Sequence, residues 1–78
     1  MPPVLTLLSR RYCHLCHDME QALEPLKGPL GFELRVVDVD ADDALEAQYG
    51  ELVPVLLFEG REICHYFLDL EALRSAVA

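Results

Sequence analysis

The feature that most restricts the fold is a change of hydrophobic period between residues 3 and 26. "PVLTLLS" (3–9) is a continuous apolar run with β-branched residues, the pattern of a buried strand. After "SRRY" the spacing switches: Cys16, Met19, Leu23 and Leu26 recur at helical intervals, with Asp18, Glu20, Gln21 and Glu24 between them. That describes an amphipathic helix starting at or just before Cys13. Pro25 lacks a backbone donor and crowds the preceding turn, so the helix should end or bend there, before "KGPLG" closes the segment.

The alternation continues. "FELRVVDVD" (32–40) reads as a second strand with Leu34, Val36 and Val39 among its apolar positions, and "DADDALEAQYG" reads as a shorter helix with an acidic start and Gly50 as its stop. "VPVLLFEG" and "REICHYFL" are strand-like runs joined near Gly60, which suits a hairpin turn. Asp69 can cap "LEALRSAVA", whose Leu70, Leu73 and Val77 form one helical face. The order β-α-β-α-β-β-α implies parallel pairing through right-handed crossovers, with antiparallel strands added by the hairpin. The expected fold is α/β, a four-stranded mixed sheet with helices on both faces. At 78 residues it forms one domain, 1–78, because a second core would need more apolar surface than this length can bury.

Six basic against fourteen acidic side chains give a formal charge of −8, which repels phosphate backbones and makes nucleic acid and anionic membranes poor partners. No apolar run approaches the roughly 18 to 20 residues that a membrane span needs. In "MPPVLTLLSRR" the basic pair follows the short apolar run, the wrong order for a secretory signal, so a cytoplasmic location is expected.

Three cysteines are an odd count, and Cys13 and Cys16 lie so close that a bridge between them removes little unfolded-state entropy. Stapling is a poor reason for the pair. With His17 the motif becomes C-x-x-C-H, which three chemistries share. As a redox dithiol, Cys13 would gain from the unpaired N–H groups and dipole of a helix N-terminus, with Arg10 and Arg11 adding positive charge and Cys16 more buried. A haem site would need export, an apolar pocket and a second axial ligand such as Met19 or His65. Zinc or an iron–sulfur cluster could draw on Cys13, Cys16, His17, Cys64 and His65, although no second C-x-x-C or spaced histidine pair is present. On a strand period Cys64 shares a face with Tyr66 and Leu68, and His65 with Ile63 and Phe67, so Cys64 reads as small-residue packing before it reads as a regulatory thiol. "DVDADD" lacks the glycine and distal glutamate of a calcium loop and reads as a solvated helix entrance.

Two marks then align with a known family: the C-x-x-C directly after the first strand in "LLSRRYCHLC", and the Val-Pro opening the third strand in "LVPVLLFEG". Over essentially its whole length the chain resembles glutaredoxin-like proteins of the thioredoxin superfamily. The resemblance implies a thioredoxin-like fold and a small thiol–disulfide oxidoreductase of cell redox homeostasis, with Cys13 as nucleophile and Cys16 as resolving thiol. It also implies a cis bond between Val53 and Pro54, with Val53 offering backbone groups to an extended substrate and Pro54 orienting it. Tyr12 would pack beside the thiolate or against substrate, and a protonated His14 would favour the reduced form. Disulfide-containing proteins or small thiols would be the substrates, glutathione or a thioredoxin-type reductant the co-substrate, with no bound cofactor or metal and a monomeric state. Where dithiol glutaredoxins have Pro-Tyr, Thr-Val-Pro and a Gly-Gly pair, this chain has His14-Leu15, Leu52-Val53-Pro54 and "ICHYFLD". Disulfide chemistry carries over; glutathione specificity does not. The competing readings are a non-enzymatic thioredoxin-fold interaction module and a metal-binding protein using the same cysteines.

Overall fold

The computed structural model describes residues 1–78. Its elements are β1 (Val4–Ser9), α1 (His14–Leu23), a 3₁₀ turn (Glu24–Leu26), the short α2 (Lys27–Leu30), β2 (Glu33–Asp38), a second 3₁₀ turn (Val39–Ala41), α3 (Asp43–Tyr49), β3 (Val55–Phe58), β4 (Arg61–His65) and α4 (Leu70–Val77). The strands lie in the order β2-β1-β3-β4, with β1 parallel to β2 and antiparallel to β3, and β3 antiparallel to β4. The mixed four-stranded sheet expected from the alternation is the sheet that forms.

Strand parity decides what each face meets, since successive side chains point to opposite sides. Leu5 and Leu7 of β1 join Leu56 of β3, Met19 and Leu23 of α1, Phe32, Cys64 and Leu73 of α4 in one cluster. Leu8 and Val55, of the other parity, join Val39, Val53 and Cys16, with Leu45 and Tyr49 of α3 at the margin. Helices therefore cover both faces, and Cys16 belongs to the cluster on the α3 side.

Three boundaries differ from the sequence reading. Pro25 opens a 3₁₀ turn, where its missing donor costs nothing, and "KGPL" then forms α2 instead of a closing loop. β2 stops at Asp38 because the Asp38 carboxylate accepts the Asp40 N–H at 2.9 Å, opening the turn that buries Val39. On this edge strand Val36 is exposed. The third difference concerns "REICHYFL". Glu59 and Gly60 both have positive φ, 52° and 77°, the requirement of a two-residue type I′ hairpin turn. From that turn the register runs from Phe58↔Arg61 to Val55↔His65, with a bulge between Leu56 and Leu57. β4 ends at His65, so Tyr66 and Leu68 do not extend the face of Cys64, as the sequence reading had it.

Cys64 is 8% exposed and packs with the core. Burial pushes its thiol pKa up, the charges of Asp69 and Glu62 add to this, and a backbone hydrogen bond at Asp69 works against it. The unfolded chain therefore ionises Cys64 first as pH rises. The stability tied to this thiol is fully present below the ordinary thiol value, about 8.5, and is lost as pH climbs through the higher folded value. Thermal melts above about pH 8.5 should accordingly fall more steeply in the wild type than in Cys64→Ala. With Cys13 and Cys16 bridged, Cys64 is the free thiol of the oxidised protein. An alkylating reagent should leave it unlabelled in the native state and label one site per chain in denaturant; native labelling as fast as that of a small free thiol would contradict its burial.

Candidate active site

The parallel crossover from β1 to β2 leaves the C-terminal end of the interior strand β1 directly before the start of α1. Between them, Tyr12 adopts a left-handed conformation, φ 59°. Cys13 follows as the N-cap of α1, extended at φ −103° and ψ 108°, and its Sγ accepts the Cys16 N–H at 3.1 Å. A cysteine sulfur thus does what a serine or aspartate oxygen does at an ordinary helix start. Cys13 and Cys16 are joined as a disulfide, with Cα atoms 5.2 Å apart. Their surroundings differ sharply: Cys13 is half-buried in a surface depression, and Cys16 is 2% exposed.

Val53 and Pro54 arrive from the loop between α3 and β3. Their peptide bond is cis, and both residues are buried. Val53 packs in the cluster that contains Cys16, with Cys13 at its margin. It lies outside every strand and helix, and its backbone N–H and carbonyl make no hydrogen bond within the chain. A pair of free main-chain groups therefore sits beside the disulfide.

His14 lines the depression around Cys13 and is mostly exposed, with its Nε2 3.5 Å from Asp18 Oδ2 one helical turn along. Tyr12 is fully exposed and lines the same depression as Cys13, which leaves its ring open to a substrate. Arg10 lines that depression as well. Arg10 donates from Nη1 to the Gly50 carbonyl at 3.0 Å, and from Nη2 to Asp40 at 2.9 Å and Glu46 at 3.1 Å. Those hydrogen bonds, to Asp40 first and Glu46 second, raise its pKa. Two carboxylates offset its charge where it borders Cys13, and its bonds clamp the end of β1 to α3. Arg11 is exposed and lines a groove with Ser9, Arg10, Val36 and Asp38, which adjoins the depression around Cys13 through Ser9 and Arg10.

Cys64 and Met19 lie in the core cluster, His65 pairs through Nδ1 with Glu62 Oε2 at 2.7 Å, and no group of three or more His, Cys, Asp or Glu side chains is placed to hold a metal ion. The site also contains a residue that the sequence reading missed. Tyr66 donates its N–H to the Pro54 carbonyl and its hydroxyl to the Glu51 carbonyl, each at 2.9 Å. Its neighbours Phe67 and Leu68 form an apolar cleft with Leu15, Met19 and Ala22 of α1. The sequence carried part of the signal: Pro54 has no N–H to continue the ladder, but counting back from the Glu59–Gly60 turn pairs Val55 with Cys64, and only the bulge between Leu56 and Leu57 sets Val55 opposite His65 and leaves Tyr66 beyond the strand.

Comparison with known proteins agrees with this geometry. The model of the glutaredoxin-like domain matches residues 4–78. An uncharacterized protein of Mycobacterium tuberculosis is 33% identical over 81 residues, spanning 97% of this chain and 84% of that protein. A Nitrosomonas europaea protein solved by NMR is similar in structure with a TM-score of 0.90 and 36% identity, covering 100% of this chain and 94% of that one. Fasciola hepatica thioredoxin, at 19% identity and a TM-score of 0.60 over 97% of this chain and 78% of its own, shares the fold. No helix is long and apolar enough to cross a membrane.

Proposed function

This chain belongs to the glutaredoxin-like family of the thioredoxin superfamily, and from that premise we propose that it is a thiol–disulfide oxidoreductase in which Cys13 attacks and Cys16 resolves. The observation behind the assignment of roles is the asymmetry of the pair, a half-buried sulfur at the helix N-cap and a second one 2% exposed beneath it. An incoming disulfide can reach the first and not the second. The reduced Cys13 would be stabilised as thiolate by the Cys16 N–H that points at its sulfur and by the α1 dipole, interactions that strengthen when the acceptor is charged.

The reaction runs in two displacements. The Cys13 thiolate forms a bond to one substrate sulfur, and the substrate's own S–S bond breaks to release a first thiolate, which takes a proton from solvent. Cys16, having given its proton to solvent, then bonds to Cys13 Sγ and expels the second substrate thiolate. Two electrons pass from the dithiol to the substrate, and the protein is left with its internal disulfide. A thiol co-substrate, glutathione or a thioredoxin-type reductant, would restore the dithiol by the reverse sequence. An extended peptide flanking the substrate disulfide would pair with the free N–H and carbonyl of Val53, in the manner of an added strand, while the exposed Tyr12 ring offers a contact on the other side.

The test is to trap the intermediate. Reduced Cys16→Ser protein incubated with a peptide disulfide should gain the mass of one peptide half at Cys13, and dithiothreitol should remove it. Absence of any adduct, together with a wild-type pair that neither oxidant nor reductant changes, would favour the interaction-module reading.

A further inference from the structure

The loop that carries Val53 is held at both ends by one distant residue. Within Glu51–Pro54, the Leu52 N–H donates to the Tyr49 carbonyl at 2.8 Å, which secures only the exit from α3. The rest depends on Tyr66. Its N–H reaches the Pro54 carbonyl and its hydroxyl reaches the Glu51 carbonyl, both at 2.9 Å.

Tyr66 holds these contacts from an unfavourable backbone. The Phe67 N–H donates to the His65 carbonyl at 2.7 Å, which makes Tyr66 the centre of a γ-turn, and its φ is 62°. A γ-turn of that hand is rare and strained, and a bulky residue in it is an outlier that glycine would relieve. Such conformations persist where the surroundings determine them fully, and they concentrate at functional sites. Here the surroundings include the ring itself: His65 lies edge-on to it at 4.7 Å between centroids, and His65 is in turn paired with Glu62 at 2.7 Å. Glu62, His65, Tyr66 and Glu51 thus form a chain of contacts that aims one hydroxyl at one carbonyl. Phenylalanine would bear the same strain without that bond.

We infer that Tyr66 is a positioning residue: by tying the Glu51 and Pro54 carbonyls to the end of β4, it sets where the free main-chain groups of Val53 stand relative to the Cys13–Cys16 disulfide. This inference rests on the thiol–disulfide reading and deepens it, because it separates two substrate classes. A peptide disulfide pairs its main chain with Val53 and so depends on the placement of that residue, where errors of about 1 Å matter. A small dialkyl disulfide has no main chain to pair and needs only the sulfur.

The experiment follows single-turnover oxidation of the reduced protein by each substrate, quenched with an alkylating reagent and read by mass. Wild type, Tyr66→Phe, Tyr66→Gly and Tyr49→Phe are compared. In Tyr66→Phe the rate constant with the peptide disulfide should fall about three- to tenfold, the effect of one lost hydrogen bond, while the rate with the dialkyl disulfide stays within about twofold. Tyr66→Gly tolerates the positive φ and keeps the bond to Pro54, and should show the same selective loss. Tyr49→Phe removes a hydroxyl that meets only Gln48 at 3.2 Å and should change neither rate. Equal slowing with both substrates, or no slowing with the peptide, would overturn the positioning role and leave the oxidoreductase intact. A wild-type dithiol that neither disulfide oxidises would remove the oxidoreductase reading and this inference with it.

Discussion

Cys13→Ser protein is expected to lose thiol–disulfide exchange with a peptide disulfide by at least about a thousandfold, because a serine hydroxyl is barely ionised at neutral pH and no other sulfur can take its place. Cys16 cannot substitute, being 2% exposed and packed with Leu8, Val39, Val53 and Val55. Cys64 cannot either, since it lies in the core cluster with Met19 and Leu56. The measurement is quenched-flow oxidation of the reduced variants, with the site of any adduct located by peptide mapping. Cys16→Ser should keep the first displacement and lose only release. If Cys13→Ser formed an adduct at Cys16 as fast as Cys16→Ser does at Cys13, the assignment of attacker and resolver would be reversed.

The largest loss of stability is expected at Leu56. It is fully buried in β3, between β1 and β4, and shares its cluster with Leu5, Leu7, Met19 and Leu73. Leu56→Ala should cost about 2–5 kcal/mol through lost transfer energy and the cavity left behind. Against the roughly 5–15 kcal/mol that stabilises an ordinary domain, that is a large fraction. At about 4–8 °C per kcal/mol for a domain of this size, the midpoint of thermal melting by circular dichroism should fall by roughly 10 °C or more. Val36→Ala, on the exposed side of edge strand β2, should change stability by no more than about 0.5 kcal/mol. Similar shifts for the two would contradict a core that lies between α1, α4 and the central strands.

The order of elements was readable because each signal is local. The apolar run of β1, the helical spacing from Cys16 to Leu23, and the cap at Asp69 act over three or four residues, and in the structure the Asp69 carboxylate accepts the Ala72 N–H at 3.0 Å. Proline and glycine were informative for the same reason. They mark the 3₁₀ turn at Pro25, the hairpin at Gly60 and the end of the β3–β4 ladder at Pro54. Where reading failed, the local signal was ambiguous: "REICHYFL" has strand composition throughout, and only pairing with a partner that ends in proline shortens it.

The composition of the site was harder to read than its location. The C-x-x-C spacing and the Val-Pro pair identify the two loops that meet, but they do not say which neighbouring charges remain free. Arg10 looked like a cation beside a thiolate, and its three partners stand 30, 36 and 40 positions along the chain. Tyr66 looked like a strand residue, and its hydroxyl partner is 15 positions away. By itself the sequence determined the sheet, its covering helices and the cysteine at a helix start, since period, capping and turn chemistry are properties of neighbours along the chain. The tertiary structure decided that Arg10 pairs with Asp40 and Glu46, that Cys64 and Met19 lie in the core, and that Tyr66 holds the loop of Val53, because contacts depend on which groups the folded chain brings together, a hydrogen bond or ion pair within about 3 Å.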